Sequence, residues 1–188
     1  MRKLVFSINV SLDGCADHQV ALADGELHDF ATRLLETQAA VLFGRLTYQL
    51  FEGYWPHAGD DPGATQAELD FAATINAKPK FVFSNTLVQA AWEHTTVVRG
   101  DALEAIRGLK AQDGGDLALG GIRMIQACLQ AGLVDEFWLL VQPRLWGTGR
   151  RLFAAGAGLQ AYRLVDLATF GSGVAVLHYS VPDSPPRA

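Results

Sequence analysis

Short apolar runs of period two alternate along this chain with longer apolar stripes of helical period. Leu4, Phe6, Ile8 and Val10 alternate with Lys3, Ser7 and Asn9, which predicts a strand over residues 3–10 with one buried face. Ser11-Leu12-Asp13-Gly14 breaks the alternation and opens a loop. Behind Asp24, a residue suited to cap a helix, Leu27, Phe30, Ala31, Leu34 and Leu35 recur at helical spacing. A short strand over 39–43 stops at Gly44, and a short helix over 45–50 follows. Residues 52–64, with Gly53, Pro56, Gly59, Pro62 and Gly63, read as a loop. Thr65-Gln66-Ala67-Glu68 spells a capping box and opens a helix to about Asn76. Strands over 80–84 and 95–98 come next. Asp101 then caps a helix that buries Leu103, Ile106 and Leu109. A strand over 116–119 stops at Gly120-Gly121, and a helix from Ile122 carries Ile125, Cys128 and Leu129 to Gly132.

From about residue 134 the helices cease. Strands are predicted over 134–145, 164–170 and 174–181, with Gly171-Ser172-Gly173 as a hairpin turn between the last two. The tail, 182–188, holds Pro182, Pro185 and Pro186 and is expected to fray. This order predicts one α/β domain over residues 1–181. It is a single mixed, mainly parallel sheet of about eight strands, with helices on both faces and a C-terminal antiparallel hairpin.

Composition narrows the function classes. The net charge of −5 offers no basic surplus for a nucleic-acid backbone, so no nucleic-acid partner is expected. No run of eighteen apolar residues predicts a membrane span. Cys15 and Cys128 stand far apart and read as reduced thiols; with no leader pattern at the start, the expected location is cytoplasmic. His18, His28, His57, His94 and His178 show no metal-ligand spacing, so no metal site is predicted. Residues 156–161 fit the G-x-G-x-x-A dinucleotide pattern but follow no strand and open no long helix, so they read as a mobile loop.

The candidate chemistry sits where three apolar strands end in small or polar turns: Phe43-Gly44-Arg45, Phe83-Ser84-Asn85 and Leu119-Gly120-Gly121. Ligands of open α/β sheets bind beyond such strand ends. Two of these turns lead directly into helices, whose first N–H groups and positive dipole ends suit phosphate. Two such starts in one sheet suit a dinucleotide pyrophosphate, although ordinary strand-to-helix turns look the same. Arg45 is poorly placed for the dipole, which points to a phosphate or an adenine ring as its partner. Arg45 with Ser84 suits a 2′-phosphate and hence NADPH over NADH. Thr47, Asn85 and Thr86 add donors. His28 and Asp29 lie where a group could face either a ligand cleft or solvent.

Taken in order, Ser11-Leu12-Asp13-Gly14, Gly44-Arg45-x-Thr47-Tyr48, Tyr54-Trp55-Pro56, Ser84-Asn85-Thr86, Gly120-Gly121, Leu133-Val134-Asp135-Glu136 and Pro143 with Gly147-x-Gly149 resemble the dihydrofolate-reductase-like superfamily. Within it, the set resembles the branch of the C-terminal reductase domain of bifunctional riboflavin-biosynthesis proteins. The resemblance implies an eight-stranded, often dimeric, NADPH-dependent reductase. It implies that Gly44, Arg45 and Thr47 hold the pyrophosphate and 2′-phosphate side, with Ser84 and Asn85 by the adenosine phosphate. Gly120, Gly121, Ile122 and Met124 form the second phosphate turn, with a cis bond between the two glycines. Val10, Asp13 and Gly14 flank the nicotinamide and substrate. Two features depart from the pattern. No upstream deaminase motif is present, and Cys15 stands where riboflavin reductases tend to carry a basic residue.

The expected activity is NADPH-dependent reduction of a small polar substrate, in the manner of a 5-amino-6-(5-phosphoribosylamino)uracil reductase. Asp13 and His28 are the candidate catalytic groups. A dihydrofolate reductase-type enzyme and a nucleotide-binding module without turnover are the alternatives. The run Phe137-Trp138-Leu139-Leu140-Val141 is apolar on both faces, with no later helix to cover it. That predicts a homodimer through residues 134–153 or the last two strands.

Overall fold

A computed structural model of the chain describes residues 1–153 and 160–182. Its strands are β1 (Leu4–Ser11), β2 (Gln38–Gly44), β3 (Lys80–Phe83), β4 (Thr95–Val98), β5 (Asp116–Gly120), β6 (Glu136–Gln142), β7 (Arg163–Thr169) and β8 (Ala175–Ser180). They form one sheet in the order β4-β3-β2-β5-β1-β6-β8-β7. The first six pair in parallel, and β8 and β7 close the chain as the expected antiparallel hairpin. The helices are α1 (Gly25–Glu36), α2 (Arg45–Glu52), α3 (Gln66–Ala77), α4 (Ala102–Ala111) and α5 (Ile122–Gln130).

The helices divide between the two faces. Ile106 of α4 and Ile125 and Cys128 of α5 pack on Leu4, Phe6, Leu42 and Leu117. On the other face Leu35, Tyr48, Phe71 and Ile75, from α1, α2 and α3, cover Val41, Phe43 and Val82. Leu27 and Phe30 extend α1 as far as Leu140 and Val176. Helix cover runs out at the C-terminal edge, where all seven residues of β7 are exposed.

The structure departs from the sequence pattern in three places. Residues 52–64 hold a 3-10 helix over Trp55–Asp60, which the glycines and prolines concealed; its Trp55 packs edge-on against Phe71 at 4.6 Å. β6 has seven residues where the apolar run suggested twelve. It stops before Pro143, which has no N–H for the ladder. The Gly120–Gly121 bond is trans, correcting the cis bond implied by the resemblance. Gly121 makes that turn through its dihedral instead, with φ +105°. The G-x-G-x-x-A segment falls mostly, and the tail almost wholly, outside the described residues.

Candidate functional site

Among the described residues, the five α-helix starts are of two kinds. Asp24 accepts from the N–H of Leu27 at 2.9 Å, and Asp101 accepts from Leu103 at 2.8 Å and Glu104 at 3.2 Å. Thr65 and Glu68 close the capping box predicted for α3. Each of these starts also carries a glutamate in its first turn: Glu26, Glu68 or Glu104. α2 and α5 begin instead on Gly44 and Gly121, with no side-chain cap and no acidic residue in the first turn. Arg45 and Arg123 stand there. The first N–H groups of a helix have no partner within it, and its dipole end is positive. At α2 and α5 both properties are left for an anion from outside.

The two uncapped starts face one another. A Cβ on Gly44 would lie 3.0 Å from Cγ of Met124 in α5. One on Gly121 would lie 2.8 Å from Oγ1 of Thr47 in α2, on a backbone whose positive φ already disfavours any side chain. Glycine at these strand ends leaves bare backbone at a site where a phosphate can approach.

A cleft of about 1140 Å³ opens across the ends of β1, β2 and β5. Its size accommodates a dinucleotide and a second small molecule. Arg45, Arg123 and Arg150 line it, against one carboxylate among the described residues, Asp17. Within a chain of net charge −5, this is a local concentration of positive charge. His18 Nδ1 lies 3.2 Å from Asp17, and Arg45 donates to Gln49 of its own helix at 3.0 Å. Ser7, Ile8 and Asn9 of β1 are among the lining residues, and Leu50 and Phe51 of α2 add an apolar wall.

Of the residues singled out in the sequence, Gly44, Arg45, Thr47, Gly120, Gly121, Ile122 and Met124 all line this cleft. The others do not. Val10 is buried in the core. Ser84 Oγ accepts from the N–H groups of Thr86 and Leu87, and Asn85 Oδ1 from Gly100, so both close turns beyond the cleft. His28 is buried beside Trp55 and Phe71. Its Nδ1 donates to the carbonyl oxygen of Asp24 at 3.0 Å.

Asp13 clamps two loops together. Its carboxylate accepts from the N–H groups of Trp146 and Gly147, each at 2.9 Å. Arg151 donates to its carbonyl oxygen, and Gly14 accepts from the N–H of Leu152. Ser11 and the two N–H groups hold the Asp13 carboxyl well below the usual carboxylate range. It is therefore ionised at neutral pH and is no proton donor there. Through this clamp the segment after β6 brings Gly149 and Arg150 to the cleft rim.

Sequence reasoning missed Ser7, Asn9, Arg123 and Arg150. Arg123 carried a usable signal, because Gly121-x-Arg123 echoes the glycine-then-arginine start at Gly44-Arg45. Arg150 carried none, since only a long-range fold contact brings it to the cleft.

Comparison with known proteins agrees with this fold. The sequence pattern of the RibD C-terminal domain family matches residues 2–176. An uncharacterized protein of Bacillus subtilis, YyaP, is 29% identical over 182 residues, covering 95% of this chain and 94% of its own length. Three solved structures share the fold. A pyrimidine reductase-like protein of Corynebacterium diphtheriae has a TM-score of 0.65 at 14% identity, over 97% of this chain and 93% of that one. A diaminohydroxyphosphoribosylaminopyrimidine deaminase/5-amino-6-(5-phosphoribosylamino)uracil reductase of Thermotoga maritima has a TM-score of 0.67 at 16% identity; the match covers 96% of this chain and 57% of that one. The dihydrofolate reductase of Schistosoma mansoni has a TM-score of 0.60 at 15% identity, over 96% and 99% of the two chains. The fold is dihydrofolate-reductase-like.

Proposed function

Because this chain belongs to the RibD C-terminal domain family, we propose that it is an NADPH-dependent reductase of a small polar substrate, akin to 5-amino-6-(5-phosphoribosylamino)uracil reductases. The observation that carries the reading is the pair of uncapped helix starts meeting at Gly44 and Gly121 beneath a rim of arginines. These residues fit a dinucleotide phosphate: bare N–H donors, positive dipole ends, and a cradle that a Cβ would fill. NADPH, when bound, supplies the hydride. The protein binds and orients. Gly44, Gly121 and Thr47 take the pyrophosphate, Ile122 and Met124 form the second turn, and Arg45 meets the 2′-phosphate. Asp13, through Trp146 and Gly147, holds the segment that carries Arg150. Ser84 and Asn85 sit outside the cleft lining, so their part is to shape the turn beside it.

Dihydrofolate reductases, which the chain resembles, place a carboxylate early in the first long helix to polarise the pterin; none of the acidic residues of α1 lines this cleft, which disfavours a pterin substrate. Turnover separates an enzyme from a nucleotide-binding module. With pyrimidine, pterin and carbonyl compounds supplied in turn, substrate-dependent loss of NADPH absorbance is expected with at least one pyrimidine. Cofactor binding without oxidation by any of them would favour the module.

The same reading places the protein in the cytoplasm as a homodimer. Among the described residues, no helix is long and apolar enough to cross a membrane. On β7, Leu164, Val165 and Leu167 are all exposed large apolar residues. Leu167 pairs with Leu177 of β8, which pairs in turn with Leu139 of β6, giving one apolar row. Light scattering is expected to give twice the monomer mass, falling in Leu167→Asp. A monomer at every concentration would contradict this.

A further inference from the structure

Two side-chain amides beside the cleft are fixed in direction by a single backbone donor. The N–H of Leu22, on the approach to α1, donates to Oε1 of Gln142 at 2.9 Å. A backbone N–H can only donate, so that end of the Gln142 amide is the oxygen. Gln142 is fully buried at the end of β6, and its Nε2 donates to Oδ1 of Asn9 at 2.8 Å. The Asn9 amide is thereby oriented as well, with its Nδ2 turned away from Gln142. No group among the described residues accepts from that Nδ2. Asn9 stands on β1, near the centre of the sheet, and lines the cleft beside the exposed Ser7. A central strand facing helices normally presents apolar side chains there; this one presents a hydroxyl and an amide.

We propose that Asn9 is a specificity-determining residue whose Nδ2 donates to a carbonyl oxygen of the substrate, and that Gln142 is a positioning residue that fixes the donor's direction. The proposal rests on the reductase reading and adds to it a requirement on the substrate: a lone pair at this point. A compound presenting N–H there would meet donor with donor, the repulsive half of specificity. The requirement is strict because the relay prevents the amide from turning round to suit the other kind of ligand.

Uracil, a planar ring with two carbonyl groups, serves as the probe. It is titrated into the NADPH-loaded protein while the Asn9 side-chain N–H resonances are followed, with NADPH affinity measured on the same samples. Those resonances are expected to shift. Asn9→Asp keeps an acceptor for Gln142 but sets a carboxylate oxygen against the carbonyl, and is expected to weaken uracil about tenfold, the worth of one such hydrogen bond. Gln142→Glu keeps the bond from Leu22 but has no N–H for Asn9, so the Asn9 amide reverses; a loss of about tenfold is expected there too. Gln142→Met leaves the amide free to rotate, and should cost uracil only two- to threefold, roughly the freedom of one rotor. NADPH affinity is expected to hold in all three.

Unmoved Asn9 resonances in the wild type would overturn the proposal. So would Gln142→Met matching or exceeding Gln142→Glu, since a merely structural glutamine suffers more from losing the Leu22 bond. A parallel fall in NADPH affinity would overturn it by giving the donor to the cofactor. Should a glutamate at 142 prevent folding, the wild-type resonances and Asn9→Asp still decide. If the wild type binds no NADPH, the reductase reading fails on its own, and the same ranking with uracil on the cofactor-free protein tests Asn9 separately.

Discussion

At the start of α4, Asp101 accepts from two N–H groups and Glu104 adds a negative charge in the first turn. At the start of α5, Gly121 has no side chain to offer, and Arg123 brings the opposite charge. Both helices pack on the same face of the sheet. A glycine in place of a capping side chain forgoes only about a few tenths of a kcal/mol, and a cation near the positive dipole end costs a further ~0.3–1 kcal/mol. The start of α2 repeats the pattern with Gly44 and Arg45. Among the described residues, the fold thus completes three of its α-helix starts itself and leaves two incomplete, and the incomplete pair opens on the cleft. Local stability given up at two adjacent places that face one cavity is the mark of a site completed by a ligand.

The strongest way to break the comparison is Gly121→Ala. Positive φ and the approach to Thr47 should together lower stability by about 1–3 kcal/mol. NADPH affinity should fall by about a hundredfold or more as the new methyl fills the phosphate approach. Chemical denaturation and titration read the two effects separately. Next in size, Arg45→Ala and Arg123→Ala should each lose roughly 1.5–3 kcal/mol of NADPH binding, the worth of a charge-assisted contact. Neither should unfold more readily.

Asp101→Ala should show the reverse profile, losing about 1 kcal/mol of stability with NADPH affinity unchanged. Leu46→Glu sharpens the contrast further. Leu46 is exposed in the first turn of α2. A carboxylate there should raise cofactor-free stability by ~0.3–1 kcal/mol while weakening NADPH. A variant that gained in both would contradict the account.

The smallest effect is acid-dependent. Ser11 and the N–H groups of Trp146 and Gly147 depress the Asp13 carboxyl. A carboxyl lowered by folding adds stability that is complete above the ordinary aspartate range, about pH 4, and is lost as pH falls through the folded value. The wild type should therefore be more stable than Asp13→Asn near neutrality, with the gap closing on acidification. Urea midpoints over a pH series would show this; a gap constant with pH would contradict it.

Local chemistry made much of this legible from sequence. Thr65 and Glu68 announced the start of α3, and the short run Thr95-Thr96-Val97-Val98 announced β4, because each signal lies within its own segment. The glycine turns at Gly44 and Gly120-Gly121 were readable for the same reason. Asp13 was not. Its motif suggested a catalytic carboxylate, while its partners, Trp146 and Gly147, lie far along the chain and are brought to it only by β1 pairing with β6. Asn9 and Gln142 are related in the same way, both polar residues on strands whose neighbours are apolar. His28 is a different case. Its place on α1 leaves it facing either a cleft or solvent, and packing against Trp55, inside the segment that reads as a loop, turns it inward instead.

The central claim is that two uncapped helix starts and their arginines form a seat for the phosphates of NADPH. Isothermal titration of the cofactor-free protein with NADPH and with NADH, at low and high salt, tests it most directly. The account predicts one NADPH per chain, bound about tenfold or more tighter than NADH, with affinity falling as salt screens the arginines. Absence of binding, or equal affinity for the two cofactors with no response to salt, would contradict it.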